Sequence, residues 1–198
     1  VYMITGNIDG IKKTILDRLE SLYDLVIDND MYFSQELVEE INSITVLIKK
    51  ELCVVINRRG KITGISVGKI SSAEIPAIEA ANRRLSGYRV VHSHPSGDSR
   101  LSSMDTSALL NLKLDAIVAI GVNEDINSVK INIGLCEVNN SILTFKELSS
   151  LSLKKALTLN FIEAIACTEK ALTAIKEDAL QEERAILVGT DSEEGLEE

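Results

Sequence analysis

Histidine, proline, cysteine and aromatic residues are all scarce: two His, two Pro, three Cys, three Phe, four Tyr and no Trp in 198 residues. Other features are missing altogether, and each absence excludes something. No apolar run reaches the ~18 residues needed to cross a bilayer, and the first residues lack the pattern of a secretory leader. A cytoplasmic domain with no membrane partner is expected. Cys53, Cys136 and Cys167 are odd in number, form no Cys-x-x-Cys and each sit in an apolar context. That excludes a disulfide framework or a cysteine-built zinc site and fits buried thiols in a reducing compartment. Neither Gly-x-x-x-x-Gly-Lys-[Ser/Thr] nor Gly-x-Gly-x-x-Gly occurs, so no nucleotide site of either kind is expected. The net charge is −9, and the basic spots are short: Lys12-Lys13, Lys49-Lys50, Arg58-Arg59 and Arg83-Arg84. Nucleic-acid binding wants clustered Lys and Arg, so direct binding by this chain is disfavoured. The acidic excess gathers at Glu193-Glu194 and Glu197-Glu198. No repeat or low-complexity linker is present. The apolar fraction of 45 % suits a folded domain, and the length suffices for a core of ~150 residues plus an appendage.

The two histidines are one residue apart, in Val90-Val91-His92-Ser93-His94-Pro95-Ser96-Gly97-Asp98. The apolar run before them reads as a buried strand. Residues i and i+2 of a strand point to one face, so both imidazoles project together from its end. Pro95 and Gly97 stop the strand. Asp105 follows on the first turn of an expected helix at ~102–112, from which it can swing back toward them. Two neutral nitrogens and one carboxylate leave a fourth tetrahedral position for water. A lone His in a core strand is usually a hydrogen-bonded core residue; two in phase, followed by Asp, favour a metal site.

The spacing is His-x-His, seven residues, Ser, two residues, Asp. It matches the metal-site signature of the JAMM (MPN+) metalloproteases, and His94-Pro95-Ser96-Gly97-Asp98 resembles their RadC-like branch. That resemblance implies that His92, His94 and Asp105 bind Zn2+, that Ser102 helps hold the tetrahedral intermediate and that an upstream glutamate is the general base. Glu51 is the expected base, because it opens the apolar run Leu52-Cys53-Val54-Val55-Ile56 ahead of the histidine strand. Glu36, Glu39 and Glu40 are rivals within a helical pattern. Ser102 has a competing reading as the N-cap of the helix that carries Asp105.

A second resemblance spans most of the chain. Gly6-Asn7-Ile8-Asp9-Gly10-Ile11, Val55-Ile56-Asn57-Arg58-Arg59-Gly60, Arg84-Leu85-Ser86-Gly87-Tyr88-Arg89, Leu114-Asp115-Ala116-Ile117-Val118 and Glu183-Arg184-Ala185-Ile186-Leu187-Val188-Gly189 resemble the N-terminal extension of HflX-type GTPases. The resemblance implies ribosome association through the parent protein, with GTP binding in a C-terminal GTPase domain outside these residues. That domain is then the implied partner.

The periodicities predict an α/β (α+β) fold: a mixed sheet flanked by helices, which in the JAMM resemblance carries a cytidine-deaminase-like layering. Helices are expected at ~8–23 and from Ser34 to about Lys49. Strands are expected at ~51–57, ~61–68, ~88–93, 114–122, ~128–138 and ~141–145. Alternation at Val129, Ile131, Ile133 and Leu135 predicts one wet face on the strand at ~128–138. Residues ~70–87 read as partial helix, and Ile70 to Arg84 with the Asp98-Ser99-Arg100 loop are candidate walls of a substrate groove. From Ser149 to about Glu182 one long helix or a broken pair is expected, followed by a short strand Ala185-Ile186-Leu187-Val188. The expected units are therefore 1–148, a connecting helix at 149–182 and a tail or next-domain start at 183–198. The terminal helix or strand is the expected surface for a homodimer. Three readings stay open: a zinc hydrolase of peptide or isopeptide amides, a non-catalytic metal-binding regulatory module of an HflX-like GTPase, and a hydrolase of small non-peptide substrates.

Overall fold

The computed structural model describes residues 3–68 and 86–191, with side chains through Ile186. The expected groove wall at ~70–84 lies outside the described residues, and of the expected partial helix at ~70–87 only residues 86–87 are described, as a turn. The fold is mixed α/β, as expected: seven strands in one sheet, in the order β1-β3-β2-β4-β5-β6-β7. The strands are β1 (Ile4–Gly6), β2 (Leu52–Asn57), β3 (Ile62–Val67), β4 (Tyr88–His94), β5 (Ala116–Gly121), β6 (Lys130–Asn139) and β7 (Ile142–Ser152). β1 runs parallel to β3 and β4 parallel to β5; the other neighbours are antiparallel.

Side-chain alternation sorts the strands between two cores. Leu52, Val54, Ile56 and Val91 join helices α1 (Lys13–Ser21) and α2 (Gln35–Ile48) in the larger core. Cys53, Val55 and Val90 face the other way, against Leu109 of α3 (Ser103–Leu112) and Ala171 of α5 (Ile162–Asp191). α2 is bounded as the sequence suggests. The Ser34 hydroxyl accepts from Leu37 N, and Lys49 closes the helix at a left-handed φ of 56°. Leu37, Val38, Ile41 and Ile44 are its buried stripe.

Four expectations change. The first helix starts at Lys13 rather than residue 8, because β1 and its turn occupy the preceding residues. β7 is eleven residues long rather than five; its first part is half exposed, so apolar patterning marks it poorly. β6 has no wet face: Ile131 to Cys136 are all buried. Its small or polar positions are covered rather than solvated, since Leu101 and Leu109 lie on Gly134 and the Ser99 loop lies on Asn132. Finally, Ala185–Val188 is helical, within α5. The preceding run Lys176-Glu177-Asp178-Ala179-Leu180-Gln181-Glu182-Glu183-Arg184 is made mostly of good helix formers. A propagating helix satisfies its own backbone, whereas a strand there would need a partner.

The C-terminal segment begins in the main core. β7 carries past residue 148 to Ser152, and Ala156, of α4 (Leu153–Ala156), Phe161 and Ala164 belong to the larger core. Phe161 lies under the buried Arg89 guanidinium, 4.1 Å from its centroid, and meets Tyr32 edge-on. From Ile175 to Ile186 every α5 side chain is exposed. A clasp holds the packed half. Arg58 donates from Nε and Nη2 to the two oxygens of Asp115 and from Nη1 to Glu169, each at 2.8 Å. The Asp115 side chain is fully buried while Arg58 is about a third exposed, so part of the attraction is screened. Arg58→Ala strands that carboxylate and is expected to cost about 2–3 kcal/mol, read as a lower urea midpoint.

Candidate metal centre

Local sequence rules bring the site together. β4 delivers His92 and His94 to the α3 face, the same parity as Val90. Pro95 to Leu101 then loop over the end of β5, and Gly97 sits at φ 81°. A Cβ on Gly121 would collide with Gly97 O, so a glycine there lets the loop lie directly on the strand. Ser102 caps α3, and Asp105 occupies the third helical position.

His92, His94 and Asp105 converge and can hold a metal ion. His92 Nε2 lies 2.9 Å from His94 Nε2 and 3.2 Å from Asp105 Oδ1; His94 Nε2 lies 3.9 Å from Asp105 Oδ2. Two ligands ~2.0–2.1 Å from one tetrahedral ion stand ~3.3 Å apart, close to the nitrogen separation here. His94 and Asp105 are also prepared as donors. His94 Nδ1 is 2.6 Å from Asp98 O. A carbonyl only accepts, so Nδ1 carries the proton and Nε2 presents its lone pair. Asp105 Oδ2 accepts from Ser102 N at 2.7 Å and Ser102 Oγ at 2.8 Å, which leaves Oδ1 facing His92. His92 Nε2, 2.9 Å from the His94 lone pair and 3.2 Å from Asp105 Oδ1, either donates its own N–H there or, as a second lone pair, shares a cation with them. His92 Nδ1 is buried with no hydrogen-bond partner among the described residues. The donor set thus fits a divalent ion with imidazole and carboxylate ligands.

Burial pushes the Asp105 pKa up, but the contact with His92 and the two hydrogen bonds from Ser102 outweigh it and hold the carboxyl at about 2. A depressed folded pKa stabilises fully above the unfolded value of ~3.9 and is lost as pH falls toward 2. In metal-free protein this is worth about 2 kcal/mol. Asp105→Asn is therefore expected to flatten the acid limb of stability between pH ~4 and ~2, read by urea midpoints across pH.

The ligands open onto a cavity of about 360 Å³, whose wall includes Glu51, Ser96, Asp98, Arg100, Ser102 and Met104. Glu51 lies at the foot of β2. Cys53 pairs with His92, and that register carried two residues further sets Glu51 beside His94 on the same face. The rivals stand elsewhere: Glu36 and Glu39 are exposed on α2, and Glu40 accepts from Arg18 at 2.9 Å. The Ser102 hydroxyl accepts from Asp105 N at 3.1 Å while donating to Asp105 Oδ2. This is a reciprocal capping box, so the N-cap reading holds and the hydroxyl proton is directed at the carboxylate. Asp98, in the expected loop, contributes its carbonyl. Its carboxylate is held at about 2 by side-chain and backbone hydrogen bonds from Arg100.

No family model, curated protein or solved structure matches this chain. Among the described residues no helix is long and apolar enough to cross a membrane.

Sequence reading named Ser99 only as part of a candidate groove wall and missed Asn132, which holds the loop from beneath. Ser99 Oγ donates to Asn132 Oδ1 at 2.8 Å. The only sequence signal was an asparagine inside an apolar strand.

Proposed function

We propose that this chain is a zinc-dependent hydrolase of peptide or isopeptide amides. The single observation that carries the proposal is the convergence of two imidazole nitrogens and one carboxylate oxygen beside a cavity that the Glu51 carboxylate also lines. The His-x-His…Ser-x-x-Asp spacing adds to it, through the resemblance to JAMM metalloproteases.

His92 Nε2, His94 Nε2 and Asp105 Oδ1 would hold the ion. Zinc bound there would act as a Lewis acid and bring the pKa of a water toward ~7. Glu51 takes a proton from water and later passes it to the departing amine. Asp98 O fixes the His94 tautomer, and the Ser102 backbone and hydroxyl fix Asp105. For Ser102 to donate to a developing oxyanion, its hydroxyl must turn from Asp105 Oδ2 into the cavity.

The test is metal analysis of protein purified without chelator, followed by turnover of a quenched-fluorescence peptide library. One zinc per chain and cleavage that stops with chelator and returns with zinc support the reading. A chain that binds no zinc overturns it.

A second reading keeps the metal and drops the hydrolysis: a regulatory module of an HflX-like GTPase, reaching the ribosome through that parent protein. It is favoured by the commitment of Ser102 to the cap and by the outer half of α5, where Ile175, Leu180 and Ile186 are exposed. Zinc without cleavage of any library member is the outcome expected under it.

A further inference from the structure

Near the start of β6, beneath the site loop, the β6–β7 ladder breaks register. Ile131 pairs with Leu151 and Ile133 with Leu148, so Ser149 and Ser150 face Asn132 alone. Ser150 takes a left-handed φ of 52°. Its N–H goes to a side chain, donating to Asn132 Oδ1 at 2.9 Å. Asn132 is 2 % exposed and both ends of its amide are engaged. Oδ1 also accepts from Ser99 Oγ, and Nδ2 donates to Glu147 Oε1 at 2.9 Å. Bulges of this kind re-aim side chains and gather beside functional sites. Here the bulge on β7 gives its Ser150 N–H to the Asn132 amide, which also holds the loop that carries the His94 partner.

We infer that Asn132, acting through Ser99, is the positioning residue that sets the His94 tautomer and aims its Nε2 at the metal. The inference rests on the metal-centre reading for its purpose, but its geometry stands independently. Asp98 and Ser99 are consecutive. With Ser99 Oγ pinned to Asn132 from below and the loop backbone seated on Gly121 from the side, the Asp98 carbonyl has one place to be. That place is 2.6 Å from His94 Nδ1. The carbonyl demands a proton on Nδ1, and Nε2 is left as a lone pair facing His92 and Asp105. Releasing Ser99 lets the carbonyl drift, and neutral imidazole in water mixes both tautomers. Partners one bond removed from a metal ligand are worth ~10–100-fold in affinity.

The chain suits the test because it holds only two histidines. Long-range proton–nitrogen spectra of imidazole-labelled protein, metal-free and mildly alkaline, report each tautomer separately. The wild type is expected to show His94 as Nδ1–H alone. Asn132→Ala and Ser99→Ala are expected to give a mixture at His94, no change at His92 and about tenfold weaker zinc binding by chelator competition. Ser99→Thr, which keeps the hydroxyl, restores the single tautomer. Arg58→Ala, destabilising but remote, leaves it untouched. If Asn132→Ala does not fold, Ser99→Ala decides, because it removes one oxygen and little volume. His94 remaining Nδ1–H in the folded variants overturns the inference, as does weaker zinc binding with an unchanged tautomer. A wild type that binds no zinc defeats the hydrolase proposal alone, since the metal-free spectra still decide the role of Asn132.

Discussion

Replacing Glu51 by glutamine is expected to leave one zinc per chain in place and to lower amide hydrolysis by ~10²–10⁴-fold. Both halves follow from where Glu51 stands. It shares the cavity wall with the histidines but does not belong to the group of three that can hold an ion. Glutamine keeps the volume and a carbonyl oxygen, so the wall is undisturbed, but it has no basic oxygen to take a proton. The measurement pairs zinc stoichiometry with kcat/KM on the fastest-cleaved library peptide. Glu39→Gln, on the exposed side of α2, serves as the charge-matched comparison and should turn over as the wild type does. Full activity in Glu51→Gln would remove the base from the proposal. Loss of zinc from it would make Glu51 a ligand instead.

The features that were legible in the sequence depend on short-range rules. The imidazoles share a face because 92 and 94 differ by two on a strand, and Asp105 reaches them because it is third in a capped helix. Glu51 was found from its place at the opening of the Leu52–Ile56 run; only the strand register shows that it shares the face of Cys53, which stands opposite His92. Features that were not legible depend on what covers a segment from far along the chain. Asn132 and Gly134 read as solvent-facing because they interrupt an apolar alternation. They are buried because Ser99, Leu101 and Leu109, more than twenty residues earlier, lie on them. The same limit applies to Ala185–Val188. A β-branched apolar run favours a strand by composition, but only a neighbouring strand makes one, and the helix already growing from Ile162 needs none. The positioning layer of this site is therefore the part that one-dimensional pattern could not reveal, although the ligands themselves were plain.

Asp105→Ala is expected to weaken zinc binding at least ~100-fold, a larger loss than for any neighbour of the site. It also costs about 1 kcal/mol at the start of α3. The two effects come from different oxygens. Oδ2 takes both hydrogen bonds from Ser102, while Oδ1 faces His92 at 3.2 Å. Ser102→Ala separates them: it removes the hydroxyl side of the cap, with a similar cost in stability, yet leaves a carboxylate to meet the ion. Zinc is expected to stay with Ser102→Ala and to leave Asp105→Ala, read by chelator competition alongside urea midpoints. Charge gives the reason for the difference. Both imidazoles bind as neutral donors, so Asp105 supplies the only negative charge among the three ligands, and without it a dication in a partly buried site is matched by dipoles alone. Asp105→Ala protein that keeps wild-type zinc affinity would show that the three groups do not act as one centre, whatever their spacing.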